Sequence, residues 1–159
     1  MSENKQPSIS AGCSNTPPER LLAIDPGIAN GWAIFENGVV KDLGSVIGVE
    51  KFDEWLHEVP NKYGKVDTVI IEDFRLFRHK AQQQIGSRFE AVQVIGLVQS
   101  WARRNKAELV KQGSDILAIA PKWSKMPMPK NHANSHHVSA YNHAFYYLVK
   151  NDMRLPEGM

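Results

Sequence analysis

Short apolar runs cut off by turn residues alternate along this chain with stretches in which apolar residues return every three or four positions. The first pattern predicts buried strands and the second predicts amphipathic helices. Leu21-Leu22-Ala23-Ile24 stops at Asp25-Pro26-Gly27, which predicts a buried strand ending in a turn. Gly31 to Phe35 predicts a second strand, Glu36-Asn37-Gly38 an Asn-Gly hairpin turn, and Val39 to Leu43 a third strand. Val49, Phe52, Trp55, Leu56 and Val59 fall on one face of a helix over 49–59, which Pro60 and Gly64 should end. Val66 to Ile71 is a β-branched strand followed at once by Glu72-Asp73. Residues 75–84 read as a loop or an irregular helix start. Ile85 to Asn105 fits a long helix with Phe89, Val92, Ile95, Gly96, Val98 and Trp101 toward its buried side. Glu108 to Lys111 reads as a further strand, and Ser114-Asp115 as the cap of a short helix through Ala118. Residues 121–135 read as a proline- and lysine-bearing loop, and Ser135 to Val149 as the last helix.

Three early strands, then helix, strand, helix, strand and two closing helices predict an α/β fold with a mixed central sheet and helices packed on it. Residues 1–19, polar and without apolar period, read as a flexible tail, and residues 20–159 as one domain. The 42% hydrophobic content suits a normal core. The apolar runs fall far short of the roughly 20 residues of a membrane helix, and the N-terminus has no signal-peptide core. The single cysteine, Cys13, rules out an internal disulfide and a cysteine-based zinc site. These features lead us to expect a cytoplasmic protein with no membrane partner, in the host cytoplasm if its source is viral.

The net charge of +2 conceals a segregation. Residues 1–74 hold 6 Lys/Arg against 12 Asp/Glu, whereas residues 75–130 hold 11 against 3. An acidic half followed by a basic middle suggests gathered carboxylates beside a surface that attracts polyanions.

Asp25 and Glu72 each follow a buried apolar strand directly. If those strands are neighbours, the two carboxylates converge, and a hard divalent cation between them would relieve their repulsion. The last helix adds His136, Ser139, Ala140 and His143 on one face, a stripe that could sit over the carboxylates, with Asn142 near its edge. His132 and His136 are spaced for zinc on a helix, but the prolines before them argue against a helix there.

Leu21-Leu22-Ala23-Ile24-Asp25-Pro26-Gly27 resembles the opening strand motif of RuvC-like Holliday junction resolvases, members of the RNase H-like superfamily. Val69-Ile70-Ile71-Glu72-Asp73-Phe74 is similar to their second acidic strand, above all in bacteriophage members. His136 to Ala144 looks like their C-terminal helix, often His-x-x-Asp-Ala or Asp-x-x-Asp-Ala. The resemblance implies an RNase H-like fold and a metal-dependent endonuclease that resolves branched DNA by phosphodiester hydrolysis. It implies Asp25, Glu72 and His136 as ligands of Mg²⁺ or Mn²⁺, two ions in all. Asp25, Glu72, His136 and Ser139 would then be the catalytic positions. The family's final Asp falls here at Ser139, a neutral hydroxyl, so a junction-binding protein with little or no cleavage is the alternative expectation.

Around these strands, Arg75, Arg78, Lys80 and Arg88 follow Glu72, and Lys122, Lys125 and Lys130 precede the last helix. They are the expected phosphate contacts. Phe74 and Phe77 are candidates to stack at an opened junction. Family members act as dimers, and the long helix with Phe89, Val92 and Trp101 is the candidate homodimer surface.

Overall fold

The computed structural model describes residues 16–73, 81–120 and 136–153, with the side chains of 81–88 left out of account. Strands β1 (Arg20–Asp25), β2 (Ala29–Glu36) and β3 (Val39–Ile47) lead to helix α1 (Val49–Tyr63). Strand β4 (Thr68–Glu72), helix α2 (Ala81–Arg104) and strand β5 (Glu108–Gln112) follow. A 3₁₀ turn over Ser114–Ala118 and helix α3 (His136–Lys150) complete the described chain. The sheet order is β3-β2-β1-β4-β5. β2 runs antiparallel to β1 and β3, and β4 runs parallel to β1 and β5. This is the α/β architecture, a mixed sheet flanked by helices, that the hydrophobic pattern predicts.

The local chemistry explains most boundaries. Asn37 (φ 53°) and Gly38 (φ 88°) both adopt the left-handed backbone that a tight two-residue hairpin between twisted strands requires. β3 runs on past Leu43 because its pairing with β2 continues to Ala29↔Ile47.

Three expectations need correcting. Pro60 does not end α1. It costs the helix one backbone N–H, yet the helix continues to Tyr63, whose hydroxyl donates to Asp42 Oδ2 at 2.6 Å. Gly64, at φ 102°, then stops it. Ser114 does not cap the 3₁₀ turn through its side chain; Gly113 occupies the cap position. Among the described side chains of α2 the buried ones are Ala91, Val94, Val98, Trp101 and Ala102, whereas Phe89 and Val92 stand exposed at 66% and 57%. The helix carries apolar residues on two sides, and the buried side includes alanines that weigh little in a hydrophobic pattern.

Side chains alternate across a strand, so the sheet has two faces with separate cores. Leu22, Ile24, Trp32, Ile34, Val69 and Ile71 pack against α1 and α2. Leu21, Ala23, Ala33, Phe35 and Ile70 pack against α3 through Ala140, Tyr141, Ala144, Phe145 and Leu148. The same parity decides the position of the polar strand ends. Asp25 continues the Leu21-Ala23 row, Glu72 the Ile70 row and Gln112 the Val110 row, so all three lie on the face that α3 covers.

Candidate active site at the carboxyl ends of the central strands

β1 and β4 are parallel neighbours in the register Leu22↔Val69 and Ile24↔Ile71. Their next residues are Asp25 and Glu72, at the same end of the sheet and on the same face. Two carboxylates on adjacent parallel strands are thus brought together by register alone.

Helix α3 brings an imidazole to each. His136 Nδ1 lies 3.4 Å from Asp25 Oδ2, and His143 Nε2 lies 2.8 Å from Glu72 Oε1. Seven residues, two helical turns, separate the histidines, so both lie on one face of the helix. Ser139 is buried on the same helix face, between them in sequence. His136 is partly exposed, whereas His143 is fully buried.

The close seating of α3 has a cause in β2. Gly31 pairs with Asp25 in the sheet and shares the α3 face. A Cβ built at Gly31 would overlap the backbone carbonyl of His136. Only glycine lets the first turn of α3 come this near to Asp25. Asn30, fully buried, holds the Asp25-Pro26-Gly27 turn. Its Oδ1 accepts from the Gly27 N–H at 3.0 Å, and its Nδ2 donates to the Val46 carbonyl at 3.2 Å. Sequence reading passed over Gly31, Asn30 and Gln112. The signal for Gly31 was its parity with Ala23 and Ala33, a row of small residues that invites a close helix.

Of the expected site residues, Asp25, Glu72, His136 and Ser139 all lie on or against the α3 face of the sheet. Arg75, Arg78, Lys80, Lys122, Lys125 and Lys130 lie outside the described residues, as do Phe74 and Phe77; Arg88 lies in α2, its side chain not described. Trp101 belongs to the core at 2% exposure and is removed from the candidate dimer surface.

Among the described residues, no group of three or more His, Cys, Asp or Glu side chains converges to hold one ion. The carboxylate pair offered at this strand end is Asp25 and Glu72, with the expected third ligand, His136, beside Asp25. It fits a hard cation such as Mg²⁺, which is usually held by one or two carboxylates and completes its shell with water and phosphate oxygens. Such a pair is a sparse holder for a second cation. His143 is not available as a ligand, because its ring is already committed at both nitrogens.

Comparison with solved structures places this architecture. Thermus thermophilus RuvC in complex with Holliday junction substrate superposes with a TM-score of 0.59 at 16% identity, covering 86% of this chain and 99% of that one. A second Thermus thermophilus RuvC structure gives a TM-score of 0.56 at 17% identity over the same shares. The fold is RuvC-like. No protein-family model matches the chain, and no curated protein sequence matches it. No described helix is long and apolar enough to cross a membrane.

Proposed function

We propose that this protein is a divalent-metal-dependent, structure-selective endonuclease that resolves branched DNA, Holliday junctions included, by phosphodiester hydrolysis. The observation that carries the proposal is the placement of Asp25 and Glu72 side by side at the carboxyl ends of parallel strands, under α3, in a RuvC-like fold. One of the structural neighbours was solved with a Holliday junction substrate.

In this reading Asp25 and Glu72 hold Mg²⁺ or Mn²⁺. A cation held there would supply Lewis-acid stabilisation of charge at the scissile phosphate and would make water more acidic at neutral pH. His136, beside Asp25 and partly open to solvent, orients the attacking water or accepts its proton, a role suited to imidazole. The water oxygen bonds to phosphorus, the bond to the 3′ oxygen breaks, and that oxygen leaves. Arg75, Arg78, Lys80, Arg88, Lys122, Lys125 and Lys130 supply phosphate contacts, which makes binding weaken steeply with added salt. Exposed Phe89 and Val92, one turn apart on α2, offer the apolar patch for a homodimer, so that two sites cut two strands.

One observation favours a second reading, a junction-binding protein with little cleavage. Ser139 stands where the resemblance expects an acid, and it is buried on the site face of α3. The two readings separate on a labelled four-way DNA junction with Mg²⁺ or Mn²⁺, using wild type, Asp25→Asn and Ser139→Asp. Symmetric nicks by wild type that vanish in Asp25→Asn establish the nuclease. Binding without nicks, with nicking gained by Ser139→Asp, establishes the binder. Neither binding nor nicking overturns both. Sedimentation of the same preparations should give a dimer for wild type and a monomer for Phe89→Glu.

A further inference from the structure

His143 is a fully buried titratable group to which the cleavage scheme above gives no role. Its surroundings define its hydrogen-bonding state. Gln112, the last residue of β5, points its Nε2 at two acceptors of the same residue: the His143 carbonyl oxygen at 2.9 Å and the His143 ring Nδ1 at 3.1 Å. A carbonyl can only accept, so the atom of Gln112 facing it must be the amide nitrogen. That nitrogen has two hydrogens and serves both contacts. Nδ1 therefore receives a hydrogen bond and carries no proton. With Nδ1 accepting, the ring's N–H is at Nε2, which donates to Glu72 Oε1 at 2.8 Å. One glutamine side chain thus selects the tautomer, and the tautomer selects which way the ring's donor points.

We infer that Gln112 and His143 form a positioning relay that holds the Glu72 carboxylate by Oε1 and leaves its other oxygen to a divalent cation. The inference rests on the reading of Asp25 and Glu72 as the metal pair, and it deepens that reading by naming what orients one of the two ligands. The geometry suits the role. Glu72 ends its strand on β4, where the backbone fixes the Cα but leaves the carboxyl group free to turn. A single donor from a fully buried ring removes that freedom, because the ring itself has none to spare. The relay spans three elements, β5 to α3 to β4, so the orientation of Glu72 is tied to the packing of the sheet edge and the helix together. His143 thereby differs from His136. His136 is partly exposed beside Asp25, whereas His143 is sealed and acts through Glu72 alone. Partners that orient a metal-binding group are typically worth 10–100-fold in metal affinity.

The test uses the full chain and Mn²⁺ alone. In the metal-free wild type, ¹⁵N-resolved NMR of the His143 ring should show a protonated Nε2 and a bare Nδ1. Titration calorimetry should then show Mn²⁺ binding weakened about 10–100-fold in His143→Leu and less severely in Gln112→Leu. In His143→Gln, whose amide nitrogen reaches the place of Nε2, most of the affinity should return. A merely structural histidine would show no such rescue, since glutamine fills the ring's space no better than leucine. A proton on Nδ1, or equal affinity in wild type and His143→Leu, overturns the relay while leaving the metal pair standing. Absence of Mn²⁺ binding in wild type overturns the metal pair and the relay with it. Should His143→Leu fail to fold, the ring tautomer and the affinities of His143→Gln and Gln112→Leu still decide: unchanged affinity in Gln112→Leu together with a loss in His143→Gln overturns the relay.

Discussion

The two faces of the sheet put the same five strands to different uses. On the α1/α2 face the strands present large side chains, Leu22, Ile24, Trp32 and Ile34, and the helices answer with rings. Trp32 stacks on Trp55 with centroids 4.6 Å apart, and Phe52 lies 5.5 Å from Trp55. On the α3 face small residues, Ala23, Gly31 and Ala33, stand among Leu21, Phe35 and Ile70, and the helix comes down close enough to bury His143 and Ala144 completely. On the α1/α2 face, the wide one, bulky side chains fill the space between the sheet and its helices. The close face has backbone against backbone at Gly31, so His136 and His143 are placed to within a hydrogen bond of their carboxylates. Burial stabilises on one face; on the other, close approach sets the geometry of a polar site.

Damage to the wide face should therefore be large in stability and small in function. Phe52 is fully buried there. Phe52→Ala should lower unfolding stability by about 3–5 kcal/mol, from lost burial and the cavity left behind. Urea unfolding measures this. Mn²⁺ affinity per folded molecule should stay near the wild-type value, because Asp25, Glu72, His136 and His143 all lie on the other face. Loss of affinity in a still-folded Phe52→Ala protein would show that the faces are coupled.

The reverse pattern belongs to Gly31. Gly31→Ala places a methyl group where the carbonyl of His136 already lies. Overpacking of this kind costs about 1–3 kcal/mol. Its functional effect should be greater, since a displacement of about 1 Å at a reacting centre can cost on the order of 100-fold in rate. Junction nicking, or Mn²⁺ affinity if wild type does not nick, should fall in Gly31→Ala far more than its stability suggests. A protein with wild-type activity would mean that the first turn of α3 moves without consequence.

The contrast between the faces also explains what the sequence made legible. Runs such as Leu21–Ile24 and Val69–Ile71 are long enough to declare strands, and their last residues mark Asp25 and Glu72 as strand-end acids. Period-2 alternation is silent on which face a helix will cover, however, so the pairing of Glu72 with His143 rather than His136 needed the register. α2 was misread because Ala91 and Ala102 are core residues of little hydrophobic weight, while Phe89 and Val92 are large and exposed. Gln112 was invisible because its role depends on β5 lying beside β4, a contact between residues distant in sequence. Pro60 misled for another reason: a local rule about helix ends yields where Tyr63 anchors the next turn in the core and to Asp42.

That last contact gives the smallest effect and the finest probe of the wide face, which has a polar bond of its own at its margin. Burial, followed by the hydrogen bond to Asp42, pushes the Tyr63 phenol up to about 12. The ordinary value is 10.0, so the folded state holds the phenolic proton more tightly than the unfolded chain does. The stability that this contributes is present in full below about pH 10 and fades as pH rises toward about 12. Tyr63→Phe keeps the ring in the core and removes the donor. It should cost about 1 kcal/mol at neutral pH, the usual net worth of one such bond. In urea unfolding across a pH series, the gap between wild type and Tyr63→Phe should stay level from pH 7 to about 9 and close above pH 10. A gap that stays level into that range would mean that the phenol is not held by its proton. Tyr63 would then carry α1 past Pro60 by ring packing alone.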